Sequence, residues 1–454
     1  MKVIIIGAGV GGLRAAKVLA DGGAEVLLFE AREEEELGFD WLDDVEPSVF
    51  EELSIPLPYG AYRAAPPTII VPGSDRSLTV PISESRREWC IDSRALLKQL
   101  SDEAREAGAS IRYGTPIGSL LFQPNKGDEV IGVHLNGFPL EADLVIDSSG
   151  ALSPFRAEFP ERCGISATVS DDDLYTAYRA VFTGTPSAGK QTPSGSSKRI
   201  YLKPEDKAAV VRCTTLPDGS VCATIGQVGA VSEPALKQLK TSLQSLEPAL
   251  KNPVLRGDFV AKTPVRAPLT CMVADGYAAV GDAAFQTIPL LGKGIANSLR
   301  AGQFLAETVL QEKKTREAKE TTSRVTSVDP VKKETLWAYQ VKYYTSIGAA
   351  HFSFDLLRKL VLATDAKTLQ FLLENDIATP EVVRAITTGS RESLEPRDFV
   401  PSLGKLARKP KFLFALRTAI RNGHTAEAIA KSIPKSFDEA LVAEWQNKLE
   451  ALLS

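Results

Sequence analysis

The first thirty residues alternate between apolar runs and short polar or glycine-rich breaks. Val3 to Ile6 is a run of β-branched residues, which is typical of a buried parallel strand. Leu13 to Ala20 places apolar residues at helical spacing, and Ala24 to Phe29 is a second apolar run. The pattern therefore predicts a strand–helix–strand unit at the start of the chain.

Strands and helices continue to alternate further along the chain. Leu96 to Ala104 carries apolar residues on one helical face, and Ala142 to Asp147 reads as an apolar strand. Tyr277 to Val280 predicts another strand, which leads through a glycine-rich turn into a helix from Ile295 to Leu310. Such alternation predicts an α/β fold with a parallel sheet.

The middle of the chain has a different pattern. Tyr175 to Phe182, Ala208 to Thr214 and Ser220 to Gly226 alternate like strands of an antiparallel sheet. Residues 184–198 are rich in Gly, Pro and Ser and predict a long loop, while residues 311–333 form a charged connection with few apolar positions. This region is expected to fold as a second domain.

These patterns predict three regions. A discontinuous nucleotide-binding domain takes residues 1–159 and 256–311, and residues 160–255 form a substrate domain with an antiparallel sheet. Part of residues 40–90 is expected to contribute to the substrate cavity. Residues 334–454 read as mostly helical.

Composition narrows the class of protein. The 454 residues include 53 basic and 57 acidic side chains, and this weak net charge of −4 argues against nucleic acid as a partner. The chain has five scattered cysteines without a Cys-x-x-Cys pair and only three histidines, which argues against a metal site. Scattered cysteines also fit a reducing cytoplasm. No apolar run reaches the roughly 18–20 residues that a membrane span needs.

Candidate chemistry begins at the glycine-rich turn. Gly7 allows a tight turn, Gly9 lets a pyrophosphate approach the backbone, and Gly12 lets helix and strand pack closely. Glu30 ends the second strand, where a carboxylate can accept hydrogen bonds from a ribose. The unit predicts a bound dinucleotide but does not separate FAD from NAD.

Three later segments favour FAD. Arg94 lies in the first turn of its helix, where a cation opposes the helix dipole and so suggests an anionic partner. Gly150 follows a strand that runs toward the cofactor. A third strand ends in Gly281-Asp282, and an Asp here can hold a ribityl hydroxyl. The loop that follows can lie against a flavin ring; its predicted cofactor-binding residues are Pro289, Gly292, Lys293 and Gly294.

On these motifs the chain resembles the flavoprotein superfamily of p-hydroxybenzoate hydroxylase, and within it the geranylgeranyl reductase family. The resemblance implies a Rossmann-like FAD-binding domain of the GR2 type, an inserted antiparallel substrate domain and a helical C-terminal region. It further implies extended FAD, an apolar or isoprenoid substrate whose carbon–carbon double bond is reduced, and NAD(P)H or a ferredoxin as electron donor.

Two features depart from that family. The cysteine-glycine segment expected near the flavin is absent from residues 39–44, and residues 199–204 keep only a remnant of the Tyr-x-Trp-x-Phe-Pro motif. The sequence does not single out one side chain as the proton donor. Candidate catalytic residues are Trp41, Tyr178, Tyr201 and Lys293.

Two other functions stay open. One is an NAD(P)H-dependent flavin monooxygenase, although hydroxylases of the superfamily carry Asp-Gly where this chain has Ser149-Gly150. The other is a non-enzymatic flavin- or lipid-binding protein. Residues 405–417 interleave basic and apolar side chains, which fits either a packed helix with snorkelling lysines or a peripheral contact with the inner face of the membrane.

Overall fold

The structure is a computed structural model, and it describes residues 1–165, 168–184, 197–204, 209–319, 329–388 and 403–453. Its strands are β1 (Lys2–Ile6), β2 (Glu25–Phe29), β3 (Leu42–Val45), β4 (Tyr62–Arg63), β5 (Pro67–Ile70), β6 (Ser77–Thr79), β7 (Trp89–Asp92), β8 (Ser110–Arg112), β9 (Ile117–Phe122), β10 (Val130–Leu135), β11 (Phe138–Glu141), β12 (Leu144–Asp147), β13 (Leu174–Phe182), β14 (Ser197–Leu202), β15 (Ala209–Thr215), β16 (Val221–Val228), β17 (Val254–Pro264), β18 (Val273–Ala274) and β19 (Tyr277–Ala279). Its helices are α1 (Val10–Asp21), α2 (Ser48–Glu52), α3 (Ser93–Glu106), α4 (Glu233–Ser242), α5 (Ile295–Lys319), α6 (Lys333–Tyr343), α7 (Ala349–Ala363), α8 (Ala366–Glu374), α9 (Pro380–Thr388), α10 (Leu403–Leu406), α11 (Pro410–Lys431) and α12 (Glu439–Leu453).

A six-stranded sheet forms the nucleotide-binding part, in the order β18-β19-β12-β1-β2-β8. The five strands from β19 to β8 run parallel, and only β18 is antiparallel to its neighbour. The carboxyl ends of β1, β2, β12 and β19 therefore meet at one edge, which is where parallel α/β sheets bind ligands. Helices α1 and α5 pack closely together because both carry glycine at the contact: a Cβ on Gly302 would lie 2.2 Å from the Gly11 carbonyl oxygen.

A seven-stranded sheet forms the second part, in the order β17-β13-β16-β15-β14-β5-β6. Its pairs are antiparallel except β14 with β5, which run parallel. One face of this sheet packs on Leu236 and Leu239 of α4. The sheet extends beyond the predicted boundaries of residues 160 and 255, because β5 and β6 come from the segment before β7 and β17 runs to Pro264. Most of the loop predicted at residues 184–198 lies outside the described residues.

Two smaller sheets and the C-terminal helices complete the fold. One small sheet has the order β3-β7-β4 and the other the order β11-β10-β9. Helix α5 continues to Lys319, past its predicted end, and Lys313–Glu317 and Arg316–Glu312 pairs support its last turns. The described part of residues 334–454 is mostly helical, and a π-type turn at Tyr344–Gly348 joins α6 to α7. Among the helices that the structure describes, none is long and apolar enough to cross a membrane.

Candidate active site

A single cavity of about 1980 Å³ runs between the carboxyl edge of the parallel sheet, the seven-stranded sheet and the C-terminal helices. Most of the predicted cofactor residues line it: Gly7, Gly9, Glu30, Gly150, Gly281, Asp282, Pro289, Gly292, Lys293 and Gly294. Gly12 and Arg94 are not among the described residues of its wall. The sequence motifs, which are far apart in the chain, thus meet at one site.

The glycine-rich turn after β1 forms one end of this cavity. Gly7 has φ +91°, and a Cβ there would lie 2.6 Å from the Ser148 carbonyl oxygen. The Gly12 amide donates to Ser148 Oγ at 3.2 Å, which holds the turn against the end of β12. Among the described residues, no side chain caps the N-terminus of α1. The positive end of its dipole therefore favours an anion such as a pyrophosphate at this turn.

Glu30 is fixed beside that turn. Its Oε2 accepts from the Ala8 amide at 2.8 Å, and its Oε1 accepts from the Arg32 amide at 3.0 Å. The residue is 7% exposed and lines the cavity. A carboxylate held in this way by two backbone donors is suited to bind the hydroxyls of a ribose.

The Gly281-Asp282 turn lies at the end of β19. Thr287 Oγ1 donates to Asp282 Oδ1 at 2.7 Å, and burial raises the pKa of Asp282 above its ordinary value. The following loop closes on itself, because the Ile288 amide donates to the Lys293 carbonyl at 2.9 Å and the Gly292 amide to the Ile288 carbonyl at 2.9 Å. A rigid loop of this kind can offer a fixed surface to a planar ring.

Arg94 is in the first helical turn, as predicted, but is not among the described residues that line the cavity. It lies in the first turn of α3 but is exposed. Asp92 caps this helix, accepting from the Arg94 amide at 2.9 Å and the Ala95 amide at 3.1 Å. The carboxylate therefore already balances the helix dipole that Arg94 opposes. Its contact with a pyrophosphate stays a prediction.

Five charged side chains from different elements meet in the cavity wall beside this loop. They are Asp44, Glu88, Lys198, Arg212 and Lys293, called here the charge network. Lys198 Nζ lies 2.8 Å from Asp44 Oδ2 and 3.4 Å from Glu88 Oε2. Arg212 Nη1 lies 3.0 Å from Asp44 Oδ2, and Lys293 Nζ donates to Glu88 Oε1. The network joins the flavin-type loop to β3, β14 and β15.

Ionisation of the charge network follows from its pairing. Burial raises the pKa of Asp44, but the charges of Lys198 and Arg212 outweigh it and hold that pKa well below the ordinary value. Burial likewise opposes ionisation of Glu88, and Lys293 and Lys198 together lower its pKa. Burial works against the ammonium of Lys198, yet Asp44 and Glu88 raise its pKa. These members of the network are therefore charged at neutral pH.

The far end of the cavity is apolar. Its wall comes from β5 and the C-terminal helices, with residues such as Val71, Leu369, Leu373, Ile377, Phe412 and Leu416. The π-type turn contributes Tyr344 to Ile347 between this end and the nucleotide end. The site therefore combines a nucleotide cradle, a charged middle and an apolar chamber.

Comparison with known proteins agrees with this arrangement. Residues 5–66 match the family model of an NAD(P)-binding Rossmann-like domain. Digeranylgeranylglycerophospholipid reductase of Methanosphaerula palustris is 27% identical over 316 residues, which are 68% of this chain and 76% of that protein. Relatives of the same name match as much as the whole chain. The chain is a homologue of the geranylgeranyl reductases. The resemblance drawn from its motifs is thereby confirmed.

Solved structures show the same fold. A geranylgeranyl bacteriochlorophyll reductase-like protein of Thermoplasma acidophilum is similar with a TM-score of 0.71 and 18% identity, over 92% of this chain and 98% of that one. CtdE in complex with FAD and a substrate is similar with a TM-score of 0.59 and 15% identity, over 90% and 100% of the two chains. The predicted α/β fold is therefore confirmed.

The structure shows what forms the cavity wall where the sequence departs from the geranylgeranyl reductase motifs. Residues 39–44, without the expected cysteine, place Asp43 and Asp44 in the wall. In the remnant of the substrate motif, Ile200 and Leu202 line the cavity, whereas the guanidinium of Arg199 and the hydroxyl of Tyr201 both bind Glu247. Alternate residues of β14 thus serve opposite faces of the sheet.

Three of the candidate catalytic residues lie outside the cavity wall of this homologue. Trp41 is buried against Phe259, with the Arg179 guanidinium 5.2 Å from its ring. Tyr178 donates to Asp258 Oδ1 at 2.7 Å, and Tyr201 is held by Glu247. Only Lys293 of the four lies in the wall. The sequence analysis did not identify Glu88, Lys198 or Arg212 as candidates. The one signal for them in the sequence was a charged residue within an alternating apolar strand, as at Arg212.

Proposed function

We propose that the chain is an FAD-dependent reductase that saturates carbon–carbon double bonds in the isoprenoid chains of a lipid. The observation that carries this proposal is the continuity of the cavity from the nucleotide cradle to the apolar chamber. A linear apolar chain in the chamber would reach the Pro289–Gly294 loop, where the cofactor ring is expected. The names of the relatives, which act on digeranylgeranylglycerophospholipid, support the same substrate class.

FAD fits the residues that are present. The turn at Gly7 and Gly9 would hold the pyrophosphate, Glu30 the adenosine ribose, and Asp282 the ribityl chain. When bound and reduced, FAD supplies a hydride. The chain itself orients the substrate, excludes water with the apolar chamber and fixes the charge network beside the reacting region. The electrons come from NAD(P)H or from a ferredoxin-type donor protein.

The proposal can be tested without knowing the electron donor. The FAD-loaded protein would be reduced anaerobically with dithionite and mixed with digeranylgeranylglycerophospholipid in detergent. Mass spectrometry is expected to show a gain of two hydrogen atoms for each double bond, and the flavin absorbance should return in step. An Asp282→Ala variant, which lacks the ribityl contact, provides the matched loss-of-cofactor control. Oxygen uptake coupled to a hydroxylated product would instead establish a monooxygenase and overturn the proposal.

We further propose that the start of α11 contacts an anionic membrane surface at the inner face of the membrane. No acidic residue occurs between Gly404 and Arg421, and Phe414 is 74% exposed. Lys405 and Lys409 pack onto α8, because they reach the Asn375 carbonyl and the Phe371 ring respectively. These two lysines therefore fit the interpretation of a packed helix. The exposed face around Phe414 instead fits a lipid surface. Phe412, next to it, lines the apolar chamber, so lipid chains would have a short path inward.

Vesicle sedimentation tests this contact. The chain should sediment with phosphatidylglycerol vesicles and much less with phosphatidylcholine vesicles, and added salt should release it. Phe414→Ser should reduce the bound fraction several-fold. Leu441→Ser is the matched control, because Leu441 is an exposed apolar residue of α12 with 54% exposure. Equal losses in the two variants would remove the proposed surface.

A further inference from the structure

The proposed reaction leaves one requirement unassigned, and the following inference rests on that reaction. Saturation of a double bond adds a hydride to one carbon and a proton to the other. Reduced FAD accounts for the hydride. The proton must come from a group that lies in the cavity and can release it to a carbon atom.

Hydroxyl groups in the wall are poorly suited to this task. Tyr175 donates its proton to the Val210 carbonyl at 2.7 Å, and burial raises its pKa to about 12. Tyr344 donates to the Leu269 carbonyl at 2.7 Å, and burial raises its pKa well above the ordinary value. Both protons are therefore directed to the backbone rather than to the cavity.

Lys293 lies in the right place among the described ionisable groups. It belongs to the loop from Pro289 to Gly294, which lines the same cavity as the nucleotide cradle and the apolar chamber. Its side chain is 24% exposed, whereas that of Lys198 is only 5% exposed. Lys293 is therefore the more accessible of the two lysines in the charge network.

The charge network holds this ammonium in position. Lys293 and Lys198 share Glu88, and Lys198 is held in turn by Asp44, which also binds Arg212. Because these lysines lower the pKa of Glu88, its carboxylate is ionised and binds the side chain of Lys293. Glu88, which lies before β7, contacts Lys293 directly, and ion pairs connect it through Lys198 on β14 to Asp44 on β3 and Arg212 on β15. The pair of Asp43 on β3 and Arg179 on β13 lies in the wall of the same cavity.

We propose that Lys293 is the proton donor of the reaction and that Glu88 and Lys198 are positioning residues. The N–H bond of the ammonium breaks, and its electron pair remains on Nζ. The π pair of the alkene forms the new C–H bond with that proton, while the other carbon receives the hydride with its own electron pair. The neutral amine regains a proton from water at the cavity opening.

Two substitutions separate proton donation from simple charge. Lys293→Gln removes both, whereas Lys293→Arg keeps the positive charge in a group that does not release its proton at neutral pH. In a single turnover of the dithionite-reduced protein with digeranylgeranylglycerophospholipid, both variants should saturate the lipid about 100-fold more slowly or worse. FAD affinity, measured by fluorescence titration, should stay within a few-fold. Lys448→Gln, which removes a lysine that pairs with Glu444 on the exposed face of α12, should keep the full rate.

The outcomes are distinct. A normal rate in Lys293→Arg would show that only the charge matters and would overturn the inference, and a normal rate in Lys293→Gln would do the same. No product from the unaltered chain would overturn the proposed function and this inference with it. Glu88→Gln tests the positioning role. Loss of the carboxylate that binds Lys293 should lower the maximal single-turnover rate by about tenfold or more, while the lipid concentration for half-maximal rate stays unchanged. A merely structural role would not separate the two quantities, and an unchanged maximal rate would remove the positioning role.

Discussion

At the scale of single residues, the site depends on how closely the chain approaches itself. The turn after β1 passes within van der Waals distance of the end of β12, so the motif glycines are required by contact as well as by conformation. Ser148 supplies that contact and also accepts from the Gly12 amide. The glycine-rich motif is therefore only half of the cradle, and its other half lies some 140 residues later in the chain.

Gly7→Ala should abolish stable FAD binding. Ala at φ +91° is strained by about 1–3 kcal/mol, and its Cβ would also collide with the Ser148 carbonyl. The expected result is a purified protein with little flavin absorbance and a Kd for FAD raised by tenfold or more. Gly60→Ala is the matched control, since Gly60 also has a positive φ but nothing within 4 Å. Equal FAD binding in Gly7→Ala and the unaltered chain would contradict this account.

The charge network gives a second residue-scale prediction. Lys198 and Arg212 depress the pKa of Asp44 in the folded state below its ordinary 3.8. Its contribution to stability is thus present above that value and is lost as pH falls through the folded pKa. Asp44→Asn should lower the free energy of unfolding at neutral pH by about 3–5 kcal/mol, because it leaves buried cations unpaired. The difference in unfolding free energy between Asp44→Asn and the unaltered chain should become smaller as the pH falls below 3.8. Urea unfolding of both proteins, from neutral pH into this acidic range, would measure it.

At the scale of elements, helix pairs and strand pairs position the motifs. The α1–α5 contact depends on Gly11 and Gly302, and it packs the helix after the glycine-rich turn against the helix after the Pro289–Gly294 loop. Strand β14 carries cavity residues on one face and the Arg199–Glu247 pair on the other. An element that contributes to two layers in this way cannot shift without disturbing both.

Gly302→Ala should destabilise the fold by more than about 2 kcal/mol. The added Cβ would lie 2.2 Å from the backbone of α1, so the helices must separate. Gly404→Ala is the control within a helix, since its Cβ would meet nothing within 4 Å, and it should be neutral or slightly stabilising. Urea midpoints of the two variants give the comparison. A Gly302→Ala protein as stable as the unaltered chain would show that α1 and α5 are not tightly coupled.

The residues that could be predicted from the sequence are those whose role is local. Gly7, Gly9, Glu30 and Asp282 could be predicted as one site because strand, turn and next residue lie together in the chain, and all four line the cavity. Their contacts with a cofactor stay predictions. The Lys293–Glu88 pair joins positions 205 residues apart, so no local pattern reveals it. The edge of the second sheet was likewise hidden, since β5 joins β14 across more than a hundred residues.

At the scale of the whole molecule, the cavity links three parts of the fold that are separate in sequence. The parallel sheet supplies the nucleotide cradle, the second sheet supplies Lys198 and Arg212 of the charge network, and the C-terminal helices supply the apolar chamber. The apolar chamber should therefore control which lengths of substrate chain are accepted, whereas cofactor binding in the cradle should not depend on that length. This separation can be tested by filling the far end of the chamber alone.

Leu416→Trp adds bulk where α11 lines the apolar chamber. FAD content should be unchanged, because the cradle lies at the opposite end of the cavity. Saturation of geranylgeranyl chains should fall at least several-fold relative to that of shorter geranyl chains, since only the long chain needs the filled space. Leu441→Trp, on the exposed face of α12, should leave this ratio as it is. A ratio that Leu416→Trp does not change would place the lipid elsewhere in the cavity and would disconnect the C-terminal helices from substrate selection.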